Sequence, residues 1–106
     1  MTDCIFCKIV NKEIPSTLVY EDENYVAFND IAPKAKTHIL IIPKKHIERF
    51  DKIDNVEDLE LVKGLYEVAL NIIKEKNLDG CNLQINCWKE HWQEVFHIHL
   101  HLLSNG

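Results

Sequence analysis

Residues 96–103, Phe96-His97-Ile98-His99-Leu100-His101-Leu102-Leu103, alternate apolar and imidazole side chains as far as Leu102. A period of two belongs to an extended strand, whose successive side chains project to opposite faces. A strand over 95–103 therefore sends Phe96, Ile98, Leu100 and Leu102 into a core and lines its other face with His97, His99 and His101. Along a strand, next-but-one Cβ atoms lie about 6.5–7 Å apart, so the three rings stand in a row. Unperturbed imidazole titrates near ~6.5, which makes both of its forms reachable at neutral pH. A neutral ring can attack an electrophile, and a protonated one can donate to a leaving group. The same row can chelate, because three strand histidines and an open position make a hydrolytic zinc site. Spacing alone does not separate these two chemistries.

The rest of the chain reads as a scaffold for that strand. Residues 5–10 suit a short helix, and Leu18-Val19-Tyr20 and Tyr25-Val26-Ala27-Phe28 suit two strands joined by the polar turn 21–24. His38-Ile39-Leu40-Ile41-Ile42, stopped by Pro43, is apolar enough for a central strand buried on both faces. From 56 to 76, Leu59, Val62, Tyr66, Ala69 and Ile73 recur at steps of three and four, the stripe of a helix. Asp54 and Glu57 have the spacing of a capping box at its start. Leu61, Leu65, Val68 and Ile72 form a second apolar stripe, which needs a second covering surface; a dimer partner is one candidate. Asn82 to Asn86 alternates as a further strand. Three strands, a long helix and two more strands with hairpin-like links predict an antiparallel α+β fold, not a doubly wound parallel sheet. No repeat or linker divides the 106 residues, so a single domain over 1–106 is expected.

Charge and cysteine usage narrow the partners. A formal charge of −5 argues against sequence-independent nucleic-acid binding, which needs Lys and Arg on phosphates. A small nucleotide, held by backbone N–H groups and a few His or Asn side chains, remains compatible. No apolar run approaches a membrane span, and the first residues do not read as a leader. Cys4, Cys7, Cys81 and Cys87 are then expected as thiols or metal ligands in a reducing, cytoplasmic setting.

The run 97–103 resembles the His-φ-His-φ-His-φ-φ signature of the histidine triad superfamily. Cys4-Ile5-Phe6-Cys7-Lys8-Ile9, Ile14-Pro15, Val19-Tyr20-Glu21-Asp22, Ala27-Phe28-Asn29-Asp30-Ile31, Thr37-His38-Ile39-Leu40-Ile41-Ile42-Pro43-Lys44-Lys45-His46 and Gln93-Glu94-Val95-Phe96-His97 are similar to its Hint-like branch, in the same order. The resemblance implies an α+β sheet of about five antiparallel strands with one long and one short N-terminal helix. It implies a homodimer joined through the 56–76 helix and the 82–86 strand. It also implies a hydrolase of purine nucleoside phosphoramidates, such as adenosine monophosphate joined to an amine. His99 would be the nucleophile, forming a covalent nucleotidyl-histidine; His101 would contact the α-phosphate with His38 beside it. Ile5, Phe6, Ile9, Phe28, Ile31 and Leu40 would wall the base. Asp30 would take the ribose hydroxyls, and Asn86, Gln93 and the backbone at Val95 the phosphate.

Cys4, Cys7, His46 and His97 resemble the structural zinc set of bacterial-type members, two Cys and two His. Zinc there would remove His97 from the chemistry, which itself would need no cofactor. One stretch departs from the family pattern: Trp88-Lys89-Glu90-His91-Trp92 stands where a Gly-rich loop usually precedes the catalytic strand. Glycines there would allow positive φ and close approach to phosphate. The departure opens an alternative, a nucleotide- or partner-binding module with weak turnover. A third reading is a zinc-dependent hydrolase using the whole row. Longer members carry a tail that shapes leaving-group choice; with the chain ending at Gly106, no such contribution is expected.

Overall fold

Two β-rich stretches separated by one long amphipathic stretch build a sheet with a helix laid across it. A computed structural model describes residues 4–105. Its elements are α1 (Ile5–Val10), β1 (Leu18–Glu21), β2 (Tyr25–Asn29), β3 (Thr37–Pro43), α2 (Val56–Glu75), β4 (Asn82–Gln84) and β5 (Leu100–Ser104), with 3₁₀ turns at Phe50–Lys52 and Lys89–His91. Met1 to Asp3 and Gly106, to which the readings of the chain ends refer, lie outside the described residues. All strand pairs are antiparallel, in the order β1-β2-β3-β5-β4. The β1–β2 turn is closed by Asp22, whose carboxylate accepts from the Asn24 and Tyr25 N–H groups, both at 2.8 Å.

β3 lies at the middle of the sheet and is buried from His38 to Pro43. Its odd residues Ile39 and Ile41, with Ala27, Tyr25, Leu100 and Leu102, pack against Leu65, Val68, Ala69 and Ile72 of α2. On the opposite face Leu40 and Ile42 meet Val26, Phe28 and the α1 residues Phe6 and Ile9. Leu40 pairs with His101 and His38 with Leu103, which puts both histidines on the α1 side of the sheet.

Three expectations need correction. The cap of α2 is Asn55, not Asp54: its Oδ1 accepts from the Asp58 N–H at 2.7 Å while its Nδ2 donates to Asp58 Oδ2 at 3.1 Å. Asn55 holds the extended φ,ψ a cap requires, so the cap is shifted by one residue, and Asp58 answers through the cap's side chain instead of its backbone N–H. The two helical stripes do not separate as read: Leu65, Val68 and Ile72 of one and Ala69 of the other meet the sheet, Val62 packs with Ile47 and Ile98, and Leu59 and Tyr66 remain exposed. Gly64 lets Tyr25 seat under the helix, since its ring fills the space of a Cβ at 64 and its hydroxyl donates to Leu61 O at 2.8 Å. Finally, β5 begins at Leu100, not Val95. Residues 95–99 leave the ladder, and Ile98 N–H donates instead to Ile47 O at 2.6 Å. Phe96 consequently lies outside the core, 36% exposed and stacked on Trp88.

Candidate active site and metal centre

The departure of 95–99 from the ladder gives the three row histidines different surroundings. His97 is fully buried, and its Nε2 lies 2.8 Å from Pro43 O. A carbonyl only accepts, so Nε2 carries the proton and the Nδ1 lone pair is left facing sulfur. Nδ1 is 3.4 Å from Cys4 Sγ and 3.5 Å from Cys7 Sγ. Cys4 caps α1, accepting from the Cys7 N–H at 3.3 Å, and His46 Nδ1 lies 3.2 Å from Cys7 Sγ. The donor atoms of Cys4, Cys7, His46 and His97 all fall within 4.8 Å of one another and could hold a metal ion. Two thiolates and two imidazoles are a zinc donor set, and the carbonyl behind His97 is the kind of partner that fixes a ligating ring. Burial lowers the His97 pKa to about 4 against the opposing Pro43 carbonyl, so the ring is neutral, as a ligand must be.

His99 is turned the other way. Its Nδ1–H donates to His97 O at 2.8 Å, leaving an unprotonated Nε2 on the neutral ring. Burial lowers its pKa, with the His97 carbonyl, Asp30 and Glu94 opposing. The Phe6 ring packs edge-on at 5.1 Å, and the His101 ring lies 4.8 Å away.

His101 belongs to a chain of ring nitrogens. The Lys34 backbone N–H donates to His38 Nδ1 at 3.1 Å, so His38 carries its proton on Nε2. That proton faces His101 Nδ1 at 3.0 Å, which leaves the His101 proton on Nε2. His101 Nε2 is buried and has no hydrogen-bond partner among the described residues. Burial, then His99 and His38, lowers the His101 pKa to about 4; burial also lowers that of His38. Asp30 Oδ2 lies 3.5 Å from His38 Nε2, while its Oδ1 accepts from the Ala32 N–H at 2.9 Å. The His99 ring, with its lone pair on Nε2, thus packs against the His101 ring, which carries its N–H on Nε2: a nucleophile and a hydrogen-bond donor on adjacent rings.

Around this pair, Phe6, Ile9, Phe28 and Leu40 are buried together with Val95 packed against them, and Ile5 is half exposed at the start of α1. Ile31 does not join them: at 99% exposure it stands in solvent. The Gln93 side chain is engaged within the protein. Its Oε1 accepts from the Trp88 N–H at 2.7 Å, and its Nε2 donates to Glu48 O at 2.8 Å and Val95 O at 3.1 Å. Buried and fully engaged, this amide holds the 88–95 loop in place. Asn86 Nδ2 donates to Trp92 O at 3.3 Å, on the same loop. Trp88 and Trp92 both adopt positive φ, +77° and +72°, so the backbone keeps glycine-like dihedrals without glycine. Trp88 is held between Phe96, parallel at 5.6 Å, and the Arg49 guanidinium at 4.2 Å. The Arg49 stack, the Pro43 carbonyl and the Lys34 N–H were not legible in sequence, since none carries a motif.

The chain matches the family model described as "Scavenger mRNA decapping enzyme C-term binding" over residues 3–106. A histidine triad protein from Clostridium difficile superposes with a TM-score of 0.94 at 44% identity, over 100% of this chain and 93% of that one. A HIT family hydrolase from Legionella pneumophila gives 0.92 at 45%, over 98% of this chain and 94% of that one. A 14 kDa zinc-binding protein of Zea mays is 47% identical over 103 residues, 94% of this chain and 80% of the relative. The protein belongs to the histidine triad superfamily.

Proposed function

We propose that the protein, a single domain over 1–106, hydrolyses purine nucleoside phosphoramidates through a covalent nucleotidyl-histidine on His99. The observation that carries this reading is the pair of opposed tautomers: His99 Nδ1 is tied to His97 O, freeing Nε2 to attack, while His101 offers an unpartnered Nε2–H beside it. The His99 Nε2 lone pair bonds to phosphorus as the P–N bond breaks, and the departing nitrogen takes its proton from water. His101 Nε2–H donates to the phosphoryl oxygen that gathers charge. Water then attacks phosphorus as the P–Nε2 bond breaks; its electron pair returns to His99, and the proton released by that water neutralises the hydroxide left in the first step, so one water is consumed overall. In this reading Asp30 accepts from the ribose hydroxyls, and Ile5, Phe6, Ile9, Phe28 and Leu40 meet the base. Likeness to a HIT family hydrolase supports the reading.

Zinc in this reading is structural. Cys4, Cys7, His46 and His97 would hold it, and the zinc-binding relative from maize supports that assignment. The ion would join α1 to the segment leading into β5. We also read the chain as a cytoplasmic homodimer; no helix among the described residues is long and apolar enough to cross a membrane. A binding module with weak turnover is the second reading, favoured by the engagement of Gln93 within the Trp88–Trp92 loop.

Intact mass after brief exposure to an adenosine phosphoramidate separates the two. The native chain gains one nucleotide monophosphate, His99→Ala gains none, and turnover in that variant falls roughly 10³-fold or more. Undiminished turnover in His99→Ala overturns the mechanism; binding without an adduct in the native chain supports the module.

A further inference from the structure

Among the described residues, two side-chain clusters gather metal-capable donors within 4.8 Å: Cys4, Cys7, His46 and His97, and separately Asp30, His38 and His101. Two imidazoles and a carboxylate are a donor set suited to divalent transition metals. An ion at that second cluster would withdraw His101 from the reaction. The two clusters are nevertheless wired in opposite senses by the backbone behind them.

Behind His97 stands a carbonyl, Pro43 O, which takes the ring proton and turns a lone pair toward the cysteines. Behind His38 stands a donor instead, the Lys34 N–H at 3.1 Å from Nδ1. A neutral imidazole has one proton, so that of His38 must sit on Nε2, facing His101 Nδ1 at 3.0 Å and Asp30 Oδ2 at 3.5 Å. A metal at the second cluster needs the lone pair where this proton is. Moving the proton to Nδ1 would set two N–H groups head to head, and removing it altogether would require an imidazolate. His101 is committed by the same chain, with Nδ1 accepting and Nε2–H left as the buried atom that lacks a partner.

We propose that the backbone N–H of Lys34 is a positioning group that fixes the tautomers of His38 and His101, thereby presenting His101 Nε2–H to substrate and keeping divalent cations out of the Asp30–His38–His101 cluster. The donor role of His101 rests on the nucleotidyl-transfer reading; the tautomers and the exclusion of metal do not. Outer partners of this kind change metal affinity or activity by about 10–100-fold when removed.

An ester linkage in place of the amide at 34 deletes the N–H while keeping the lysine side chain; Lys34→Pro is its genetic counterpart. Lys34→Ala keeps the N–H and removes only the charge. Long-range ¹H–¹⁵N correlations report the His38 and His101 tautomers, and cobalt(II) added to full-length protein carrying one equivalent of zinc reports a second site. In the native chain and Lys34→Ala, His38 and His101 both show Nε2–H, and no second ion binds at micromolar cobalt. In the ester variant the tautomers mix, a second cobalt binds with a spectrum free of thiolate bands, and kcat falls about 10–100-fold with KM little changed. An Nδ1–H on His38 in the native chain, or a second cobalt bound equally by native and ester proteins, overturns the proposal. Shifted tautomers with unchanged kcat sustain the lock and overturn instead the donor role of His101.

Discussion

What each histidine can do here depends on the partner of its other nitrogen. His97 has a carbonyl behind Nε2 and presents Nδ1 to sulfur; His99 has a carbonyl behind Nδ1 and presents Nε2. Burial keeps both neutral by holding their pKa values below the ordinary 6.5. For His99 the sign follows directly. Protonation removes the attacking lone pair, and a lowered pKa moves that loss to more acid pH. The pH at which the single-turnover rate of adduct formation falls to half its plateau should therefore lie below the ~6.5 of free imidazole. A half-point above ~6.5 would show a ring more easily protonated than free imidazole, contrary to its burial.

At the scale of elements, the segments flanking His97 and His99 are held by neighbours. α1 and its cap supply Cys7 and Cys4 and, through Phe6 and Ile9, much of the apolar floor. With zinc in the proposed Cys4–Cys7–His46–His97 site, a chelator should loosen α1 and lower the thermal midpoint by several degrees, about 4–8 °C per kcal/mol for a domain of this size. Protein still folded should label at His99. Loss of labelling with no change in midpoint would instead assign the ion to chemistry. The 88–92 loop carries its own strain, since Trp92 at φ +72° adopts a left-handed conformation. That conformation costs an L-residue about 1–2 kcal/mol, whereas glycine loses roughly 0.5–1 kcal/mol in entropy. Trp92 is 78% exposed, so little packing is lost on its removal. Trp92→Gly should leave stability unchanged or raise it by up to about 1 kcal/mol in urea denaturation. A loss beyond ~1 kcal/mol would mean that the indole is held by contacts of real strength.

For the whole molecule, the two faces of α2 differ. One is buried on the sheet; the other leaves Leu59, Tyr66 and Leu70 exposed, near Phe50 and a cavity of about 600 Å³ that also reaches Ile85. Next to it β4 is an edge strand with Leu83 partly uncovered. Exposed apolar surface beside an open strand edge is the kind of patch a second copy covers. Leu59→Glu combined with Tyr66→Glu should give a folded monomer by sedimentation, with the native chain a dimer at the same concentration. A native monomer, or a double variant that still dimerises, would place the contact elsewhere or remove it.

Periodicity along the chain was enough to specify the antiparallel α+β class, the long helix and the central strand, because side-chain period is a local property of the backbone. The likeness of its motifs to one superfamily was equally legible. Other features depended on groups far apart in sequence: which helical stripe meets the sheet, where β5 begins, and why Gln93 is engaged with Glu48 O and Trp88 N–H. Tertiary structure alone decided the proton positions on His38, His97, His99 and His101. Those positions depend on single backbone groups at Lys34, Pro43 and His97, and every residue carries such a group, so no sequence pattern can single them out.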